Sequence, residues 1–410
     1  MGSQHRYTHL RSGARGWGRQ SWKGVVLVIG VALALAGCVN PAPGASTQTP
    51  TPDPPGRQLV SGPEKVVDPD LVYANERLAG MTLQQKVAGL FVLHYPGTDA
   101  AAIRSFIDGY GIGGVILMGD NIPGTPAELA AITAGLSADP ALPALIMVDQ
   151  EGGIVSRLPF DLAPGADVLK SEPVQATTDA FASRSDLLAS VGINVNLGIV
   201  ADVTDDPSSF IYDRVLGADP AGAAERVGAA VAAEQGAVAS TIKHFPGHGE
   251  APGDSHVSVP VAPLGYEEWL AQSAPPFVAG IDAGAELVML GHLAYPAIDQ
   301  TPASLSPVWH RVLRDELGFT GVIISDDMLM LQHTGLPEYQ DPAQNAIRAL
   351  AAGTGMLLYL LPADPATEGI DVGGLIAAVV SAVESGQIDR ASIDGAARKA
   401  IALRRSLSPV

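Results

Sequence analysis

Between residues 243 and 256 the chain places Lys243-His244-Phe245-Pro246-Gly247-His248-Gly249 and then Asp254-Ser255-His256. Three imidazoles and a carboxylate within one short stretch are dense enough to do chemistry. A metal site is one reading. His244 and His248 stand four apart, a spacing that puts two ligands on one helix face. Pro246, Gly247 and Gly249 break a helix there, and no HExxH pattern occurs. A loop whose histidines are exposed or structurally hydrogen-bonded is a second reading. The third is a mobile catalytic loop. A carboxylate at Asp254 fixes the tautomer of His256 and raises its basicity, so the imidazole can both give and take a proton near neutral pH.

Other polar clusters follow apolar runs. Leu145–Val148 leads into Asp149-Gln150-Glu151, and Ala239–Ile242 into Lys243-His244. Leu287–Leu290 leads into Gly291-His292, and Val322–Ile324 into Ser325-Asp326-Asp327. Charges beside apolar runs are costly without a partner or a function. Four such clusters suggest one polar pocket.

The runs that must position them read as strands: Val87–His94, Gly113–Met118, Leu145–Asp149, Asn194–Val200, Ala239–His244, Leu287–Leu290, Gly321–Asp326 and Met356–Leu360. Ala-rich stretches of helical period lie between them, among them Ala127–Leu136, Ala221–Gln235, Ala343–Ala352 and Val372–Glu384. Strand–helix alternation implies parallel strands with helical crossovers. The strands lack polar alternation, as expected when both faces are buried. Eight units in about 300 residues predict an α/β fold, a single (β/α)8 TIM-like barrel, whose sites form at the C-terminal strand ends. Periodicity cannot show closure, so a doubly wound open sheet is the alternative. No GxGxxG follows the first strand, and no nucleotide-binding loop is expected.

The KHFPGHG segment with the following DSH resembles the bacterial β-N-acetylhexosaminidases of glycoside hydrolase family 3. The resemblance runs from about Met81 to the C-terminal helix, with its motifs in family order. Val148-Asp149-Gln150-Glu151-Gly152-Gly153 with Arg157 is similar to VDQEGGxVxR. Asp213-Arg214-Val215-Leu216-Gly217 stands where the family usually has RSFG. Gly291-His292 with Tyr295-Pro296, and Ser325-Asp326-Asp327-Met328, complete the series. The resemblance implies a retaining mechanism with Asp326 as nucleophile and the Asp254–His256 dyad as acid/base, in place of the second carboxylic acid most retaining enzymes use. It implies that Asp149 accepts hydrogen bonds from two sugar hydroxyls. Arg157, Arg214, Lys243 and His244 would donate to the remaining hydroxyls or the acetamido group. A wall ion pair is the plainer role for Arg157 and Arg214, and a strand-end cap for Asp149. Asp202 is expected to orient basic neighbours, Glu151 and His248 to organise loops, and Asp327 to stand behind the reacting group. Ile154, where the family commonly carries Arg, and RVLG for RSFG put substrate preference in doubt.

The implied activity is an exo-acting β-N-acetylglucosaminidase on peptidoglycan-derived or other amino-sugar glycans. The alternatives are a β-glucosidase or xylosidase, an N-acetylglucosaminide phosphorylase, and a surface protein that binds glycans without turnover. No cofactor and no metal are expected.

The whole chain has 410 residues, 47% of them hydrophobic and 16% charged, with 24 basic and 43 acidic side chains and a net charge of −19. That is too apolar for disorder and argues against a nucleic-acid partner. Residues 1–37 hold Arg6, Arg11, Arg15, Arg19 and Lys23 and no acid, followed by the apolar run Val25–Ala36. This is the pattern of a secretory signal, shorter than the ~20 residues that span a bilayer. Leu35-Ala36-Gly37-Cys38 resembles a bacterial lipobox, and Cys38 is the only cysteine. One cysteine excludes a disulfide scaffold. The expected layout is a lipoprotein signal at 1–37, a lipidated Cys38 with a Pro/Thr-rich tether to 65, and the catalytic barrel at 66–410. The expected product is an exported monomer held on the extracytoplasmic face of the cell membrane by its lipid alone. Loss of the signal would take the net charge to −24.

Overall fold

The computed structural model describes residues 68–408. The expected signal segment, Cys38 and the tether lie outside the described residues. Eight strands alternate with helices: β1 (Phe91–Leu93), β2 (Gly114–Leu117), β3 (Leu145–Val148), β4 (Val195–Val200), β5 (Ala239–Phe245), β6 (Leu287–Leu290), β7 (Val322–Asp327) and β8 (Met356–Tyr359). They pair in parallel in chain order. β1 returns to β8 through Phe91↔Leu357, Val92↔Leu358 and Leu93↔Tyr359, which closes the barrel and excludes the open sheet.

Every strand residue is buried except Asp326, which is half-buried near the end of β7. The barrel interior covers one strand face and the helices cover the other, which is why the strands read as unbroken apolar runs. The helices start where the sequence supplies caps. Asp219 accepts from the backbone N–H of Ala221 and Gly222 ahead of the Pro220–Glu234 helix, with Pro220 in its first turn. Asp341 does the same for Pro342–Ala352. The last helix, Arg390–Ser406, packs on the first, Pro69–Ala79, across the end of the barrel away from the polar strand ends. Among the described residues no helix is long and apolar enough to cross a membrane.

One expected strand is corrected. Val87 and Ala88 end a helix, Leu83–Ala88, and β1 begins only at Phe91. Thr82 Oγ1 accepts from Gln85 N (3.2 Å) while Gln85 Oε1 accepts from Thr82 N (2.9 Å). This reciprocal cap starts a helix in a stretch whose apolar content alone suits a buried strand equally well.

Candidate active site

The polar residues converge at one end of the barrel because each closes a strand. Asp149 follows β3, Asp202 follows β4, Lys243 and His244 lie near the end of β5, His292 follows β6, and Asp326 lies near the end of β7. The turn after β3 is built around Gln150. Its Oε1 accepts from Arg157 N (2.8 Å) and Leu158 N (3.0 Å), and its Nε2 donates to Ser156 and Asp161 (2.7 Å each). Buried Arg184 holds Asp161 from below (2.8 Å). Gly152 sits there at φ +83, and a Cβ on it would stand 2.3 Å from Arg184 Nη2. Only glycine allows this turn to lie against the arginine.

Glu151 is the centre of the charge network. Its carboxylate takes a two-pronged contact from Arg214 (2.9 and 2.8 Å) and an ion pair from Lys243 Nζ (2.7 Å). Burial works to raise its pKa, but Lys243 and Arg214 overcome this and hold it at about 2. Lys243 Nζ also donates to Asp149 Oδ1 (2.8 Å). The two carboxylates outweigh burial and keep Lys243 charged, its pKa raised. Arg157 Nη2 stands 3.8 Å from Asp149 Oδ2, while the Arg157 Nε–H is buried without a hydrogen-bond partner. It is a donor suited to a ligand oxygen.

His244 is neutral. Its Nδ1–H donates to Asp202 Oδ2 (2.7 Å) and its Nε2 accepts from Arg214 Nη2 (3.3 Å). Burial and the nearby guanidinium push its pKa well below the usual value. The other oxygen of Asp202 takes the backbone N–H of His248 (2.6 Å) and of His244 (3.3 Å). One carboxylate thus fixes both the imidazole and the start of the following loop. Gly249 lies so close to β4's extension that a Cβ would fall 1.7 Å from Val203 O. The GHG triplet therefore pins the loop root by backbone contact.

Asp326 accepts from Asp327 N (2.8 Å). Burial opposes its charge, yet that N–H and the Lys243 ammonium keep the carboxyl below its ordinary pKa. It is an ionised carboxylate in a low-dielectric site, the state a nucleophile needs. Asp327 is its opposite. Burial, reinforced by the charge of Asp326, pushes it up to about 7. Its Oδ1 accepts from Leu329 N (3.1 Å) and Leu360 N (3.0 Å), tying the ends of β7 and β8 together. His292 Nε2–H donates to Asp327 O (3.0 Å), and its Nδ1 accepts from Ser304 (2.7 Å).

The dyad stands apart, on the loop after β5. His256 Nδ1 lies 2.6 Å from Asp254 Oδ1, which also takes the His256 N–H (2.9 Å). Their side chains are 62% and 45% exposed. The structure therefore joins Asp149, Arg157, Arg214, Lys243 and His244 in one network. Asp326 borders it, and the Asp254–His256 pair stands on the loop that begins at His248. Arg214 lies in the wall, paired to Glu151. Ile154, 64% exposed, sits on the rim, whereas Val215 and Leu216 are buried. Glu151 and Asp202, accessories by sequence, are each the partner of two or more site groups in the structure. Among the described residues no cluster of three His, Cys, Asp or Glu side chains is placed to hold a metal ion.

Glu151→Gln is expected to cost about 3 kcal/mol of stability, because it leaves Arg214 buried without its counter-charge and Lys243 with Asp149 as its one remaining acid. The same magnitude follows from linkage. The folded pKa, about 2, lies below the ordinary 4.5. The contribution is therefore complete above about pH 5 and lost as pH falls toward 2. Denaturant midpoints of both proteins at pH 7 and pH 3 check this. The gap should narrow at the lower pH, and an equal gap at both would contradict it.

A parallel barrel with an ionised carboxylate, a cluster of paired charges and an Asp–His pair beyond its C-terminal strand ends is the architecture of a sugar-processing enzyme of the glycosidase class. Residues 82–403 match the glycosyl hydrolase family 3 N-terminal domain, and the chain belongs to that family. A β-hexosaminidase of Nitrosomonas eutropha is 34% identical over 275 residues, 63% of this chain and 76% of that one. The solved structure of a glycoside hydrolase family 3 β-N-acetylglucosaminidase from Paenibacillus sp. superposes with a TM-score of 0.73 at 30% identity. It covers 81% of this chain, which spans 64% of that longer one. A β-N-acetylhexosaminidase from Beutenbergia cavernae gives 0.69 at 29% identity, over 80% of this chain and 99% of the other.

Proposed function

We propose that the protein is a retaining exo-β-N-acetylglucosaminidase. It would release terminal N-acetylglucosamine from peptidoglycan-derived or other amino-sugar glycans. The observation that carries this is the pairing of an ionised, half-buried Asp326 with a 2.6 Å Asp254–His256 dyad on an adjacent loop. Binding alone needs neither. Asp326 attacks the anomeric carbon and the glycosidic C–O bond breaks. Protonated His256 gives its proton to the departing oxygen. Neutral His256 then takes a proton from water as that water displaces Asp326 from the anomeric carbon. Asp149, charged Lys243 and Arg157 hold the sugar hydroxyls and acetamido group, while Glu151 fixes Lys243 and Arg214, and Asp202 fixes neutral His244 in the pocket wall. The names of the relatives support the amino-sugar substrate. Export, a lipid at Cys38 and a monomeric state complete the proposal, supported by the lipobox-like sequence and the lone cysteine.

A panel of chromogenic β-glycosides, run in water and in phosphate buffer with products identified, tests the reading. The expected result is preferential cleavage of the N-acetylglucosaminide, with free sugar as product in both buffers. A sugar 1-phosphate would replace hydrolysis by phosphorolysis, and preference for glucosides or xylosides would overturn the substrate. Cys38→Ala should abolish lipid labelling and membrane retention; unchanged labelling would remove the anchor from the proposal.

A further inference from the structure

The chain carries nearly twice as many acidic as basic side chains, so a basic cavity without acids is unexpected in it. One exists at the opposite end of the barrel from the site above. A cavity of about 380 Å³ opens at the N-terminal ends of β7 and β8, where Val322 and Gly355 line it, and no Asp or Glu is among its lining residues. Three cations are: Arg311, Arg314 and Lys399. None of them makes an ion pair with a carboxylate among the described residues. The nearby acids are engaged elsewhere or turned outward. Asp394 pairs with Lys86, Glu286 holds Ser240, Glu316 accepts from Tyr266, and Asp315 is exposed.

Arg314 and Lys399 are held in place by neutral groups that leave their charge uncompensated, and Arg311 is exposed at the cavity edge. Arg314 lies over the Phe319 ring (5.2 Å), and one terminal nitrogen donates to Phe319 O and Gly321 O (2.8 Å each). Its remaining N–H groups make no hydrogen bond to the described residues. Lys399 donates to Thr320 O. Burial lowers Arg314 to about 10. Burial, with Arg314 and Arg398 alongside, lowers Lys399 to about 8. Both shifts run in the direction an arriving anion would reverse. The turn that carries Arg314, Val312–Glu316, is a π-helix. Such turns are rare and occur often at functional sites. Ser392 adds a hydroxyl donor at the cavity wall.

We propose that this cavity binds a phosphate group, held by Arg311, Arg314 and Lys399 with Ser392 as a neutral donor. Planar guanidinium groups and a compact ammonium together suit the three oxygens of a phosphate monoester or the two free oxygens of a diester. The phosphate belongs either to a soluble ion or to the headgroup of an anionic lipid, and the test separates these sources. Full-length protein and the double variant Arg311→Gln/Lys399→Gln are titrated calorimetrically with inorganic phosphate at low ionic strength. Both are also prepared with Cys38→Ala, which removes the proposed lipid, and sedimented with vesicles of phosphatidylglycerol or of phosphatidylcholine, binding being read as the excess on phosphatidylglycerol. Arg314 is kept, since it also secures the Phe319–Gly321 turn. The expected result is at least a tenfold loss of phosphate affinity in the double variant, with glycoside turnover unchanged. Phosphatidylglycerol binding lost in the variant, with inorganic phosphate inert, assigns the lipid source. Binding of neither probe, or binding that survives the double substitution undiminished, overturns the proposal. Phosphate held at the catalytic end would survive it, so the two sites are not confused.

Discussion

Asp326→Ala is expected to abolish glycoside turnover and to leave the barrel folded. Removing a nucleophile that forms the covalent intermediate is expected to lower kcat on the order of 10⁴-fold or more, about 5.5 kcal/mol of transition-state stabilisation. The expectation rests on the electrostatics around the carboxyl. The Lys243 ammonium and the Asp327 N–H hold Asp326 ionised despite its burial. No other ionised carboxylate stands free to replace it. Asp149 and Glu151 are bound to Lys243, Asp202 to His244, and the Asp327 carboxyl carries the pH-7 proton balance of a group pushed up to about 7. The barrel survives because the strand pairing of β7, Val288↔Ile323 and Met289↔Ile324 among others, does not pass through that side chain. A small anionic nucleophile such as azide should restore part of the turnover with an aryl glycoside. It would yield the α-glycosyl azide, since attack then comes once and inverts. Turnover in the variant above about a hundredth of the parent's would remove Asp326 from the nucleophile role.

The barrel was legible because its signal is repeated. Eight apolar runs, each followed by a helical stretch, survive an error in any one of them; six strands fall within the expected segments, and β5 and β7 each run one residue past them, to Phe245 and Asp327. The error that did occur lies where the physical signal is degenerate. Val87–Ala88 is as apolar as a strand, and the Thr82–Gln85 cap that makes it a helix lies outside the run. Closure itself was not legible, because the pairing of β1 with β8 joins residues about 265 positions apart and leaves no periodic mark.

Within the site, local pairs were legible and distant ones were not. Asp254 and His256 are two residues apart, so their bond follows from spacing alone. Glu151 takes its partners from β5 and from the segment after β4, and Asp202 takes its imidazole from β5. Nothing in the order of residues announces which acid meets which base; the closed barrel decides it. The same cause explains Arg214. As a sequence feature it reads as a sugar contact, and in the fold two of its donors are spent on Glu151. Its effect on substrate passes through the position of His244 as much as through any contact of its own.

The separation of the dyad from Asp326 leads to the second large effect, which depends on the leaving group. His256 sits on an exposed loop that contains Gly253 at φ +109 and is anchored at its root by Asp202 and Gly249. Its imidazole is oriented by Asp254 alone. A proton donor in this position matters when the departing oxygen is a poor leaving group, because a sugar alkoxide cannot leave unprotonated. A nitrophenolate needs no such help. His256→Ala is therefore expected to slow glycosylation by natural glycans about 10²–10⁴-fold, and glycosylation by an activated aryl glycoside less than about tenfold. Deglycosylation should slow for both, since water still needs a base, so the aryl substrate should show a burst of phenol release followed by a slow steady state. Asp254→Asn should fall between the parent and His256→Ala, because it keeps a hydrogen-bond partner for Nδ1 but removes the charge that stabilises the imidazolium. Burst kinetics across aryl glycosides of graded leaving-group pKa measure the dependence directly. Equal slowing of good and poor leaving groups in the first step would take the acid role away from His256 and leave it a loop-positioning group.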